Sequence, residues 1–217
     1  MMCGQRNEEN DWMQDQSTRL IKAKLNELHP TQLTVGFATV DKKMQKWEGM
    51  SGARREAYLS ENWIPAIRAP DGEYYIVDHH HLGVALLKSE VVHVRLLLLK
   101  DLSSLRAEDF WMAMDHYNWV HPYNARGRRE KCSAIPSKLS DLVDDPYRSL
   151  VDDVHQLGGF ATTSMLYAEF LWADFFRQRL KLKKSAASWS DMVADALVLA
   201  RQPEAKALPG WCGVDED

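Results

Sequence analysis

Cysteine is scarce in this sequence: Cys3, Cys132 and Cys212 are scattered through 217 residues, an odd number with no CxxC pair. That excludes a disulfide framework and a zinc knuckle, and it fits a reducing compartment. Long apolar runs are missing too. The longest aliphatic stretch, residues 96–99, falls far short of the ~20 residues that span a bilayer, so no membrane segment is expected. The opening MMCGQRNEENDWMQDQ is polar and acidic, which argues against a secretory signal and for the cytoplasm. Nor is there a surplus of positive charge. Lys and Arg number 27 against 31 Asp and Glu, a net −4 that disfavours wrapping a nucleic-acid backbone, although local basic patches remain open. No phosphate-binding Walker loop, nucleophile elbow, internal repeat or low-complexity tract is present.

What the chain does have is apolar material: 45% hydrophobic residues and eight tryptophans, enough for a packed core. Leu20, Ile21, Leu25 and Leu28 lie at helical spacing and predict a helix stopped by His29-Pro30. Residues 35–40 read as a short strand, and 42–47 and 53–60 as short helices. Asp71-Gly72 between apolar runs predicts a hairpin of 64–69 with 73–77. A helix over 79–88 and a buried strand in VVHVRLLLL follow. Beyond Leu105 the pattern is mostly helical, with helices over 107–117, 147–157, 163–180 and 189–200. The reading is therefore an α+β fold: a loose leader (1–15), an α+β domain (16–104) and a helical C-terminal region packed on it (105–217).

The stretch YYIVDHHHLGVAL (75–87) carries the strongest chemical signal. Three adjacent histidines on a helix point about 100° apart and cannot converge on one ion. The position suggests instead a strand ending at Val77, Asp78 as the helix cap, and His79, His80 and His81 in the first turn. A first turn offers unpaired N–H groups and the positive end of the helix dipole, a ready anion site. The plain alternative is a capping aspartate followed by a neutral hydrogen-bonding surface.

Other candidates carry their own alternatives. Arg126, Arg128, Arg129 and Lys131 in NARGRREK form either a phosphate clamp or a solvated basic loop, and RLKLKK (179–184) reads as a cationic helix end. In LYAEFLWADFFRQ the apolar residues surround almost the whole helix, which predicts burial on most sides. Glu169 and Asp174 there lie about 140° apart, so they form no paired-acid site. They are read as ion-pair partners of Arg148 or Arg177, or as substrate or Mg²⁺ contacts. His116 and His121 read as satisfied polar residues, and as the first place to look for a further metal ligand.

The segments LHPTQLTVGFATVDKK, IPAIRAPDGEYYIVDHHHLGVAL, DLSSLRAEDFWMAM, DDPYRSLVDDV, GGFATTSMLYAEFLWADFFR and ALPGW together resemble the ParB-like family of nuclease type, within the ParB/sulfiredoxin superfamily. The resemblance runs from about residue 28 to 211. It implies a small mixed sheet with helices, and a nucleotide whose phosphates sit beside the helix start at residues 78–81. Free-serine kinases of the superfamily carry an Asp-Gly-His-His-Arg version of this start. By that likeness Asp78, His80 and His81 are the expected catalytic residues, with Asp78 holding Mg²⁺. His79, His80, His81, Lys42 and Lys43 are expected to contact ATP or ADP, and Gln32, Arg148, Glu169 and Asp174 to face the substrate. His79 stands where the kinases have glycine and Leu82 where they have arginine. Gln32 lies where a glutamate base belongs, and glutamine cannot take a proton. The partition-type arginine box is absent, GARRE (52–56) being a partial echo. The implied function is nucleotide- or phosphate-dependent phosphoryl transfer to a small molecule. A DNA-binding or nuclease protein and a non-catalytic ligand-binding protein are the alternatives.

Overall fold

A computed structural model describes residues 20–182 and 187–213, so the proposed leader at 1–15 lies outside the described residues. The first described segment is a strand, β1 (Leu20–Lys24), followed by a 3-10 turn (Leu25–Glu27), where apolar spacing predicted a helix. Alternation decides the matter: Ile21 and Ala23 pack on the core, while Lys22 and Lys24 face water. A one-sided strand at a sheet edge satisfies that pattern, and pairing with a neighbour supplies the hydrogen bonds that a helix would have made internally.

The neighbour is β5 (His93–Asp101), antiparallel to β1 with Leu20 opposite Leu97. β5 runs parallel to β3 (Ile64–Arg68), which pairs antiparallel with β4 (Tyr74–Ile76), giving the order β1-β5-β3-β4. The β3–β4 hairpin turns at Gly72 (φ +86°), a left-handed conformation that glycine adopts at no steric cost. β5 is less buried than its sequence suggested, with only Val94 and Leu96 fully inside.

Residues 35–40 are not a strand. β2 is only Thr34–Val35, parallel to β6 (Val143–Asp144), and helix α1 (Phe37–Glu48) begins at once. A distant residue enforces that start: the Asp144 carboxylate accepts the Phe37 N–H at 2.7 Å, a cap no local reading reveals. α2 (Gly52–Glu61), α3 (His80–Lys88) and α4 (Ala107–His116) complete the first half. The rest is mostly helical, with α5 (Pro146–Gln156), α6 (Ala168–Arg179) and α7 (Ala187–Arg201). α6 starts five residues later than expected and is one-sided. Trp172, Phe175 and Phe176 are buried, but Leu166, just before it, and Leu171 are exposed.

Three apolar clusters hold the molecule. The first lies under the sheet and includes Leu25, Ile64, Ile76, Leu86 and Leu96, closed by Leu139 and Leu142 from the later half. The second joins Leu150, Val154, Trp172, Phe176 and Ala196 between the C-terminal helices. A third, with Ile67, Leu102, Phe110 and Met114, bridges residue 104. The fold is α+β. No helix among the described residues is long and apolar enough to cross a membrane.

Candidate functional site

The start of α3 is organised by its neighbours. β4 ends at Ile76, and Val77 donates its N–H to the Pro65 carbonyl at 3.0 Å. The chain then turns through His79, whose φ of +62° places it in the left-handed region. His79, not Asp78, is the helix cap, because its carbonyl accepts the Gly83 N–H at 2.8 Å. Asp78 sits one position earlier, exposed, with Oδ1 accepting the His79 N–H at 2.6 Å. The helix therefore opens with His80 and His81 in its first turn, and His79 stays outside it, exposed.

His80 and His81 do not offer Nε2 as a donor to phosphate. Each Nε2 accepts a backbone N–H: His80 from Thr31 at 3.1 Å, His81 from Gly36 at 2.9 Å. The Thr31 hydroxyl donates to the Ile76 carbonyl at 2.8 Å, fastening the same segment to the end of β4. An imidazole that accepts at Nε2 is neutral with its proton on Nδ1. Burial, and then the charge of Arg148, pushes His80 down to about 3 and His81 well below its usual range. The pair latch residues 31–36 onto α3.

Arg148, on α5, supplies the positive charge. It is buried, lies 3.6 Å from the Phe170 ring centroid, and reaches Glu169 from Nη2 at 3.3 Å. Its Nε and Nη1 are buried without a hydrogen-bond partner. Desolvation pulls the guanidinium below the usual arginine range, opposed by Glu169, Asp145 and Asp78. Around it stand aromatic rings: His121 lies 3.8 Å from Phe170, 4.2 Å from Tyr123 and 4.3 Å from Tyr167. Burial and Arg148 hold His121 neutral, at about 3. Tyr167 donates its hydroxyl to the Asn118 carbonyl, and burial moves it above the usual tyrosine range. Gln32 is buried beside this group, joined to His121 by an isolated backbone bridge, and its amide makes no side-chain hydrogen bond among the described residues.

The residues picked out from sequence thus divide. Residues 78–81, Arg148 and Glu169 are brought together, with Gln32 behind them and Lys43 near enough to act on His81. Lys42 is taken up by Asp153, and Asp174 by Arg177, which also holds Asp145. The basic stretch is a closed turn, not a loose loop. Asn124 Oδ1 accepts the N–H groups of Arg126 and Arg128, and Arg129 pairs with Asp115. Among the described residues no group of three or more His, Cys, Asp or Glu could hold a metal ion. Thr31, Gly36, Tyr167 and Phe170 escaped the sequence reading. The first two act through backbone N–H groups, which carry no side-chain signature.

The chain matches the family model described as "Putative ParB-like nuclease" over residues 21–178. It belongs to that ParB-like family. The matched span runs from β1 into α6 and so contains the whole arrangement around Arg148. Among solved structures, the chain is similar to the crystal structure of protein Atu1540 from Agrobacterium tumefaciens. Identity is 38% over 91% of this chain and 98% of that one, with a TM-score of 0.85. No curated protein matches it. The ParB-like likeness and the helix start at residues 78–81 thus coincide in one stretch of the fold.

Proposed function

We propose that this ParB-like protein binds a phosphate-bearing small molecule or nucleotide at Arg148 and the start of α3, and acts on it by phosphoryl transfer. One observation carries the reading: a buried guanidinium with Nε and Nη1 unpartnered. Buried polar groups are normally hydrogen-bonded, and a buried charge without partners is costly, so this geometry favours an oxyanion. Phosphate suits it, because arginine grips phosphate oxygens in its plane through parallel N–H bonds. A nucleotide's Mg²⁺ would meet the exposed Asp78 carboxylate, and on this reading Asp78 is the residue that takes a proton from a substrate hydroxyl. Leu82 is buried in the core and contributes no phosphate contact.

Calorimetric titration with inorganic phosphate, ATP, ADP and CTP, with and without Mg²⁺, tests the reading. Binding by at least one of them is expected. If none binds, the proposal is wrong. A second reading, DNA binding or cleavage, is favoured by the family description and by Arg126 and Arg128, whose side chains stand exposed on the Asn124 turn.

A further inference from the structure

The contact between Arg148 and Glu169 is unequal. The arginine side chain is 4% exposed and the glutamate 64%, so a surface carboxylate reaches a buried cation. At 3.3 Å the bond is long, since charge-assisted N–H···O bonds normally lie near 2.7–2.9 Å. Glu169 does not need Arg148 to stay where it is. It occupies the first turn of α6, where the helix dipole already favours negative charge. Phe170, the next residue, covers one face of the guanidinium, so acceptors come in along its plane. The nitrogen that Glu169 touches, Nη2, is shared by both edges through which an arginine grips an oxyanion in two bonds. Negative charge parked there opposes a second anion at either edge.

We infer that Glu169 is a tethered competitor for the anion that Arg148 receives. The inference rests on the anion-site reading above. At rest the carboxylate holds Nη2 loosely. An arriving phosphate takes Nη2 together with Nε or Nη1, and Glu169 swings out to solvent, where most of its side chain already lies. Because it is anchored on the adjacent helix, Glu169 competes at a high local concentration and sets the affinity of the site. It is thus an affinity-determining residue, not a catalytic one.

Titration of the full chain with inorganic phosphate tests this in four forms: wild type, Glu169→Gln, Glu169→Asp and Arg148→Met. Removing the carboxylate is expected to tighten phosphate binding on the order of tenfold, the size of one charge-assisted contact partly screened by solvent. Glu169→Asp keeps the charge but shortens the reach, and it should tighten binding nearly as much. Unchanged or weaker binding by Glu169→Gln overturns the inference. Tightening by Gln but not by Asp also overturns it, because general repulsion would then be the cause. Arg148→Met separates the two ideas. If it binds phosphate as the wild type does, the anion site itself is wrong. If it loses binding while Glu169→Gln fails to tighten, only the competitor is wrong. Should Arg148→Met fail to fold, the wild type and the two Glu169 variants still decide, since an exposed position tolerates both changes.

Discussion

His80 commits its Nε2 lone pair to the amide of Thr31, and that choice makes the folded protein sensitive to acid. Its folded value of about 3 lies far below the ~6.5 of a free imidazole. The unfolded chain therefore takes up the proton first as pH falls. The stabilisation is fully present above about pH 6.5 and is lost progressively as pH falls toward the folded value. Between pH 7.5 and 5, His80 alone should lower the unfolding free energy by about 2 kcal/mol. Urea unfolding at those two values checks this, with His80→Asn as comparison, since its amide oxygen can accept the same backbone bond. The variant should lose less stability across that interval. Equal losses would show that His80 is not held neutral by the fold. At this scale the run from Asp78 to His81 stood out in the sequence, but the backbone partners of His80 and His81 did not. A histidine that accepts a backbone hydrogen bond and one that donates to a ligand have the same letter in a sequence.

Between elements, the junction that matters joins α1 and α5, because it brings Arg148 to the start of α3. Gly36 is the point of closest approach. A Cβ there would lie 2.3 Å from Ser149 Oγ and 2.6 Å from the Ser149 backbone nitrogen. No rotamer change relieves the second clash. Gly36→Ala should destabilise the protein by about 1–3 kcal/mol, the usual penalty of overpacking, read as a lower thermal midpoint. Ser149→Ala should not rescue it, because the obstructing backbone remains, and rescue would mean that the helices can slide apart. Gly36 also donates its N–H to His81, so the same junction orders the site. The β3–β4 hairpin and α3 were readable because Asp-Gly turns and apolar periodicity are local signals. The strand at Leu20–Lys24 and the early start of α1 were not, since each depends on a partner far along the chain: β5 for one, Asp144 for the other.

For the molecule as a whole, charge separates the two functional readings. The net −4 and the neutral histidines give little long-range attraction for a polyanion, whereas the proposed reading asks only that the buried Arg148 receive a small one. A gel shift with double-stranded DNA at about 150 mM salt should show no specific complex, since non-specific binding weakens steeply with salt. A salt-resistant complex abolished by charge reversal of Arg126 and Arg128 would favour the nucleic-acid reading instead.

The sequence by itself determined the α+β class, the ParB-like resemblance, the hairpin leading into residues 78–81, and the pairing potential of Glu169 and Asp174. These rest on local periodicity, turn chemistry and motif. Only the tertiary structure decided that Glu169 meets Arg148 while Asp174 meets Arg177, and that two of the three histidines face backbone amides. It also decided that a buried guanidinium is left with two bare nitrogens. Burial and hydrogen-bond satisfaction belong to pairs of residues far apart in the chain, 49 positions for Thr31 and His80 and 107 for Phe37 and Asp144, and no single stretch of sequence contains them.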